Sequence, residues 1–233
     1  FIITLNGNPG YENNIDFQQR HHTTSIQLQV QHMQHLSYLD LKNCQIQDSQ
    51  LLPILNLRSI HCNCTTSSIN LNNNQVTSFG ITSIINWIQD VHNQKSMLSF
   101  KLKNISLSGN PGAGTAAHQR LIGVLAVLYL SRLEHGGQGT VFRSIADRGL
   151  NDSSIEPISQ FLISNPKGQT LIELGMHQNN ISQKGCKSLC VALLNHSHLT
   201  DLSVYSNTPG IFWGIEMSNV LKTNNVLRVL DMG

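Results

Sequence analysis

Charge is what this sequence has least of. Only 12% of its 233 residues are Asp, Glu, Lys or Arg, about half of the roughly 25% usual in soluble proteins. The 15 basic residues are scattered and the net charge is +2. No patch is therefore able to neutralise a run of phosphates, which excludes nucleic acid and acidic membrane surfaces as partners. Long hydrophobic runs are missing too: no stretch approaches the roughly 18 apolar residues a membrane-spanning helix requires. Catalytic signatures are also absent. The 11 histidines form no H-E-x-x-H, the serines no G-x-S-x-G, and no paired carboxylates share a strand end. The chain therefore reads as no enzyme, with no catalytic residue, cofactor or metal.

Cysteine is sparse and odd in number: Cys44, Cys62, Cys64, Cys186 and Cys190. Cys62-x-Cys64 has no second ligand pair at zinc-site spacing, and Cys186 and Cys190 stand four apart on a helical pattern, as small buried hydrophobes do. Reduced cysteines point to a cytoplasmic setting. The chain opens on Phe1-Ile2-Ile3, with neither Met nor a basic leader, and reads as a piece of a longer protein truncated at both ends. Amides take the place of charge. There are 24 Asn and 18 Gln, together outnumbering the 28 charged residues.

Those amides recur with a period. Leu171-Ile-Glu-Leu174-Gly-Met176-His-Gln-Asn179-Asn-Ile181 reads L-x-x-L-x-L-x-x-N-x-I, and Leu199, Leu202, Val204 and Asn207 repeat it 28 residues later. Leu227, Leu230 and Met232 begin it again after a further 28. Upstream, the template is met by Leu36, Leu39, Leu41, Cys44 and Ile46; by Ile69, Leu71, Asn74 and Val76; and by Leu102, Ile105, Leu107 and Asn110. Ile3, Leu5 and Asn8 carry the remains of one more unit. After each comes a helical spacing of apolar residues, such as Ile81, Ile84, Ile85 and Ile88, or Leu121, Leu125 and Leu128. After Cys44 the set is Leu51, Leu52, Ile54 and Leu55, with Pro53 expected in a first helical turn.

This pattern resembles the leucine-rich repeat family, in its ribonuclease-inhibitor-like class of units near 28 residues. The resemblance implies an α/β solenoid, a curved horseshoe with a parallel inner β-sheet and outer α-helices. It implies one array of about eight units over residues 1–233. Strands are expected near 3–5, 39–41, 69–71, 105–107, 174–176, 202–204 and 230–232. It also implies that Asn8, Cys44, Asn74, Asn110, Asn179 and Asn207 bond neighbouring backbone in a ladder. Between Asn110 and Asn179 one unit is degenerate, with Phe142, Ile145 and Leu150 near the template and extra length at 133–140. A second insertion, HHTT, falls at 21–24.

One stretch competes with this reading. Gly112-Ala-Gly114-Thr115-Ala-Ala117 matches the dinucleotide fingerprint G-x-G-x-x-G/A, and Gly109 to Gly114 has P-loop spacing. But Thr115 stands where the phosphate-binding lysine belongs, and no acidic residue follows on a second strand. Asn110-Pro111-Gly112 also echoes Asn8-Pro9-Gly10 and Asn207-Thr-Pro209-Gly210. The stretch is read as a repeat turn.

Residues between the strand leucines point away from the core. They make the candidate protein-binding surface: Tyr38, Asp40 and Lys42; Asn70 and Asn72; Ser106; Glu173 and His177; Asp201, Ser203 and Tyr205; and Asp231. Amides, hydroxyls and two tyrosines suit a protein partner of unknown identity. His177 and Tyr205 hold equivalent positions on adjacent units, as do Glu173 and Asp201. His21, His22, His32 and His35, in and beside the first long loop, read as solvated. The expected function is a protein-binding scaffold or recognition segment, the partner seated on the concave strand face or the loop edge. The alternative is a GTPase activator resembling the Ran GTPase activator, with a loop-edge arginine (Arg20, Arg58 or Arg148) as the active group.

Overall fold

The computed structural model describes residues 2–4, 37–56, 66–93, 101–131, 141–164 and 171–233. It divides into two units, Phe1–Leu121 and Ile122–Gly233. In the first, β1 (Ile2–Thr4), β2 (Tyr38–Asp40), β3 (Ser68–Asn70) and β4 (Asn104–Ser106) form a parallel sheet in that order. Helices α1 (Asp48–Leu55) and α2 (Ser78–Asn93) follow β2 and β3, and the division falls within α3 (Ala116–Ser131). In the second unit, β5 (Val141–Ser144), β6 (Leu171–Gly175), β7 (Asp201–Ser203) and β8 (Val229–Asp231) form another parallel sheet. Three helices alternate with them: α4 (Asp152–Ser164), α5 (Gln183–Leu193) and α6 (Phe212–Leu221). Parallel strands alternating with helices are what the repeat pattern calls for.

The strands centre one residue earlier than expected in most units. Leu39 pairs with Ile69 and Ile69 with Ile105, and all three are buried. The third apolar residue, Leu41 or Leu71, still donates to the next strand (Leu41 N–H to Asn70 O, 2.8 Å), but the chain turns immediately after it. Helix packing completes each core: Ile81, Ile84, Ile85 and Ile88 are buried in the first unit, and Leu189 and Leu193 in the second. Leu52, by contrast, is exposed. Pro53 is the sixth residue of α1, past the first turn where it was expected, so it removes one interior helical hydrogen bond.

The turn after each strand has a fixed recipe. Asn43, Asn73, Asp147, Gln178 and Ser206 all adopt φ between 50° and 60°. Each immediately precedes the position filled by Cys44, Asn74, Arg148, Asn179 or Asn207. Gly109, before Asn110, has φ 74°. Five of the six turns described thus hold a left-handed residue without glycine: four at Asn, Asp or Ser and one at Gln. The following asparagine then ties the turn to the unit before it. Asn179 Oδ1 accepts from Leu150 N–H (3.0 Å) and Arg148 N–H (3.1 Å), while its amide donates to Ile145 O and Met176 O. Asn74 does the same with Ile46 N–H, Leu41 O and Leu71 O, and Asn110 with Val76 N–H, Leu71 O and Leu107 O. Asn207 accepts from Ile181 N–H. Cys44 has a weaker contact, its thiol donating to Lys42 O at 3.5 Å.

A second tie runs along the helix starts. Asp152, first residue of α4, accepts from the backbone N–H and hydroxyl of Ser182, the cap of α5. Asp48 accepts equally from the N–H and hydroxyl of Thr77.

The degenerate unit departs from expectation at its strand. A register shift between Val141 and Phe142 pairs Phe142 with Glu173 and Arg143 with Leu174. Phe142 therefore shares a row with Glu173, and Arg143 occupies the one filled by leucine in the neighbouring strands. Its guanidinium sits 5.3 Å from the Tyr129 ring centroid and its Nε is buried without a hydrogen-bond partner. Ile145 and Leu150 are buried as the template predicts.

Candidate functional site

Each unit presents its own strand face. In the first, Tyr38, Asp40, Lys42, Asn70, Asn72 and Ser106 are all half-buried. Asp40, Asn70 and Ser106 lie in one row across the sheet. Their polar groups are largely used within the fold. Asp40 Oδ1 accepts from Lys42 N–H and Asn70 Oδ1 from Asn72 N–H, both at 3.0 Å. Ser106 donates to Asn72 Oδ1 at 2.8 Å. These carboxyl and amide groups close the strand-end turns as well as facing outward.

In the second unit the face is organised differently. Glu173 pairs in register with Asp201, and Gly175 with Ser203, which pairs with Asp231. Two residues on, the imidazole of His177 stacks on the Tyr205 ring, with centroids 4.5 Å apart and planes 6° from parallel. Ser203 joins the rows: its hydroxyl lies 3.4 Å from His177 Nδ1 and donates to Asp231 Oδ2 at 3.2 Å. The Ser203 hydroxyl thus bridges the Asp231 carboxylate, to which it donates, and the His177 ring. The backbone thus places His177, Ser203, Tyr205 and Asp231 in one connected group. The repeat register makes the ring pair legible in the sequence; nothing in the spacing signals the polar chain through Ser203.

The glycine-rich turn shows where its donors go. Gly112 N–H bonds Val76 O at 2.9 Å, Ala113 N–H bonds Asn110 O, and Gly114 N–H bonds His118 Nδ1 at 3.0 Å. A phosphate cradle needs such N–H groups free and convergent, and here they are engaged by the previous unit and by α3. Burial holds the His118 pKa below the ordinary imidazole range. Cys186 and Cys190 are buried on α5. A hydrogen bond between them and burial push the Cys190 thiol pKa upward, away from nucleophilic or metal-binding chemistry. Among the described residues no group of three His, Cys, Asp or Glu is placed to hold a metal ion.

Of the arginines considered for a GTPase-activating role, Arg148 is exposed and stands 5.2 Å from the Tyr129 ring centroid. Arg20, Arg58, Asn8, Cys62, Cys64, the histidines at 21, 22, 32 and 35, and both insertions lie outside the described residues. No described helix is long and apolar enough to cross a membrane.

No protein-family model matches the chain, and no curated protein matches it. Among solved structures it is similar to leiomodin-1 actin-binding site 2, at 24% identity and a TM-score of 0.39, over 49% of this chain and 63% of that one. It is also similar to an internalin, InlF of Listeria monocytogenes, at 12% identity and a TM-score of 0.25, over 85% of this chain and 61% of that one. The chain spans about three fifths of the length of each of these neighbours.

Proposed function

We propose that this chain is a protein-binding scaffold of leucine-rich repeat type, in the ribonuclease-inhibitor-like class, acting in the cytoplasm without catalysis of its own. The asparagine ties, the left-handed residue before each and the strand–helix alternation support the repeat assignment. The binding role is carried by one observation, the His177–Tyr205 stack on the face of the second unit. Two rings preordered against each other present flat, partly apolar surface without the entropy loss of fixing them at contact. Tyrosine is also among the residues that most often dominate interfaces. The scattered carboxyl, amide and hydroxyl groups around the stack fit a protein surface better than a small ligand, which wants a concave apolar pocket.

The test compares protein partners captured by the wild-type chain and by folded His177→Ala/Tyr205→Ala. Loss of specific partners from the double variant supports the assignment. Retention of every one, with loss on substitution in 133–140, moves the binding site to the insertion and ends it.

A further inference from the structure

The strand face of the second unit is one-sided in charge. Its outward register positions run Glu173, Asp201 and Val229; then Ser144, Gly175, Ser203 and Asp231; then Ala146, His177, Tyr205 and Gly233. Three carboxylates stand among these eleven positions and no lysine or arginine. Glu173 and Asp201 are in register on neighbouring strands, about 4.8 Å apart. Like charges so placed repel, and nothing on this face offsets them. Asp201 is held by the Thr200 hydroxyl, and Asp231 by Ser203 and the Gly233 N–H.

Geometry adds a direction. Glu173 and His177 lie four residues apart on one strand path, about 13 Å by the strand rise. Between them sits Gly175, which is buried, with the His177 imidazole and the Ser144 hydroxyl standing over it. The ring pair is bordered by Ala146 on one side and Gly233 on the other, both too small to cover the ring faces. Charge at one end and flat aromatic surface at the other, four residues along the strand, match a short extended segment rather than a single side chain.

Resting on the scaffold reading above, we propose that this face binds an extended peptide segment of the protein partner, and that the segment carries a basic side chain. Its cation seats against Glu173 and Asp201, where a guanidinium finds two acceptors. The segment then runs along the strand direction and lays an apolar or planar group on His177 and Tyr205.

The experiment selects binders to the full chain from a random-peptide display library. The winners are resynthesised and measured against wild type, Glu173→Gln/Asp201→Asn and His177→Ala/Tyr205→Ala, each checked for cooperative thermal unfolding. The proposal expects winners enriched in Arg or Lys, weakened roughly tenfold by Glu173→Gln/Asp201→Asn, the loss usual for a charge-assisted contact. It also expects their binding by wild type to weaken as salt shortens the screening length, a reading that holds even where a variant fails to fold. Winners without a basic residue that still depend on the rings overturn the charge assignment and leave the scaffold reading standing. Winners indifferent to both double variants overturn both. A library that yields no binder counts against the peptide proposal alone.

Discussion

His177 and Tyr205, 28 residues apart in sequence, lie ring on ring at 4.5 Å. Their contact follows from the period: equivalent positions on adjacent parallel strands bring side chains about 4.8 Å apart, which is the spacing of stacked rings. Both residues are half-buried. His177→Ala/Tyr205→Ala should therefore lower stability by only about 0.5–1.5 kcal/mol, the usual worth of an aromatic pair. Partner affinity should fall further, by about 2 kcal/mol or more, roughly thirtyfold. Urea unfolding and a binding titration read the two effects separately, and equal losses in both contradict a binding role.

Asn179 is the strongest test of the repeat register. Its side chain is buried and satisfies backbone groups of two successive units. Asn179→Leu strands those groups, so unfolding free energy should drop by about 1–3 kcal/mol. Asn180→Leu, at an exposed neighbour, serves as the control. Equal melting temperatures for the two variants contradict the assigned role.

The glycine-rich turn predicts a stability effect where a phosphate site predicts a binding effect. A Cβ at Gly112 meets the backbone of Thr77, its carbonyl carbon at 2.7 Å, so Gly112→Ala should cost about 1–3 kcal/mol through overpacking. Calorimetric titration of the wild type with ATP, GTP or NAD should give no saturable heat. Saturable binding of any of them, lost in Gly112→Ala, reverses this reading.

Acid should weaken the second unit through His196. This residue is buried, its Nδ1 accepts from Leu199 N–H at 3.2 Å, and its Nε2 has no hydrogen-bond partner. Burial, with His198 nearby, lowers its pKa from the ordinary 6.5. Below about pH 6.5 the unfolded chain takes up a proton that the folded chain refuses, so stability present at neutral pH is lost as the pH falls. His196→Gln should flatten the dependence of the urea midpoint between about pH 7.5 and 5. His118, lowered in the same direction by burial, leaves a residual slope. An unchanged slope removes His196 from the account.

Arg143 stands where leucine stands in the neighbouring units, with its Nε buried and unpartnered. Arg143→Leu should restore the template and remove that unpartnered buried donor, raising stability by about 1 kcal/mol. A lower melting temperature shows instead that the contact with Tyr129 outweighs the burial.

The repeat was legible because its apolar positions are periodic: Leu39, Ile69 and Ile105 fall in one buried row of the first unit and Leu174 and Leu202 in one of the second, read from spacing alone. The degenerate unit was less so. A one-residue register shift at Val141/Phe142 exchanges inward for outward positions, and no residue type around it announces the shift. The left-handed row was missed because it is filled by Asn, Asp, Gln, Ser and Gly. That set shares tolerance of a conformation rather than hydrophobicity. The candidate face was legible as a list of outward residues, and its rings as a matched pair. The link through Ser203 depends on side-chain torsions that no periodicity encodes.

The asparagine ties have a consequence for how such a chain gains and loses length. In each tie the acceptor belongs to one unit and the backbone N–H it satisfies belongs to the unit before: Asn207 serves Ile181, Asn179 serves Leu150, Asn110 serves Val76 and Asn74 serves Ile46. A deletion or duplication that breaks at equivalent points of two such tied units rejoins the amide to an asparagine like its own. One that breaks at non-equivalent points leaves a buried N–H facing a side chain of the wrong kind. Copy number is thus free to change in whole periods and resists change in fractions, and the stretches between turns are where recombination is tolerated.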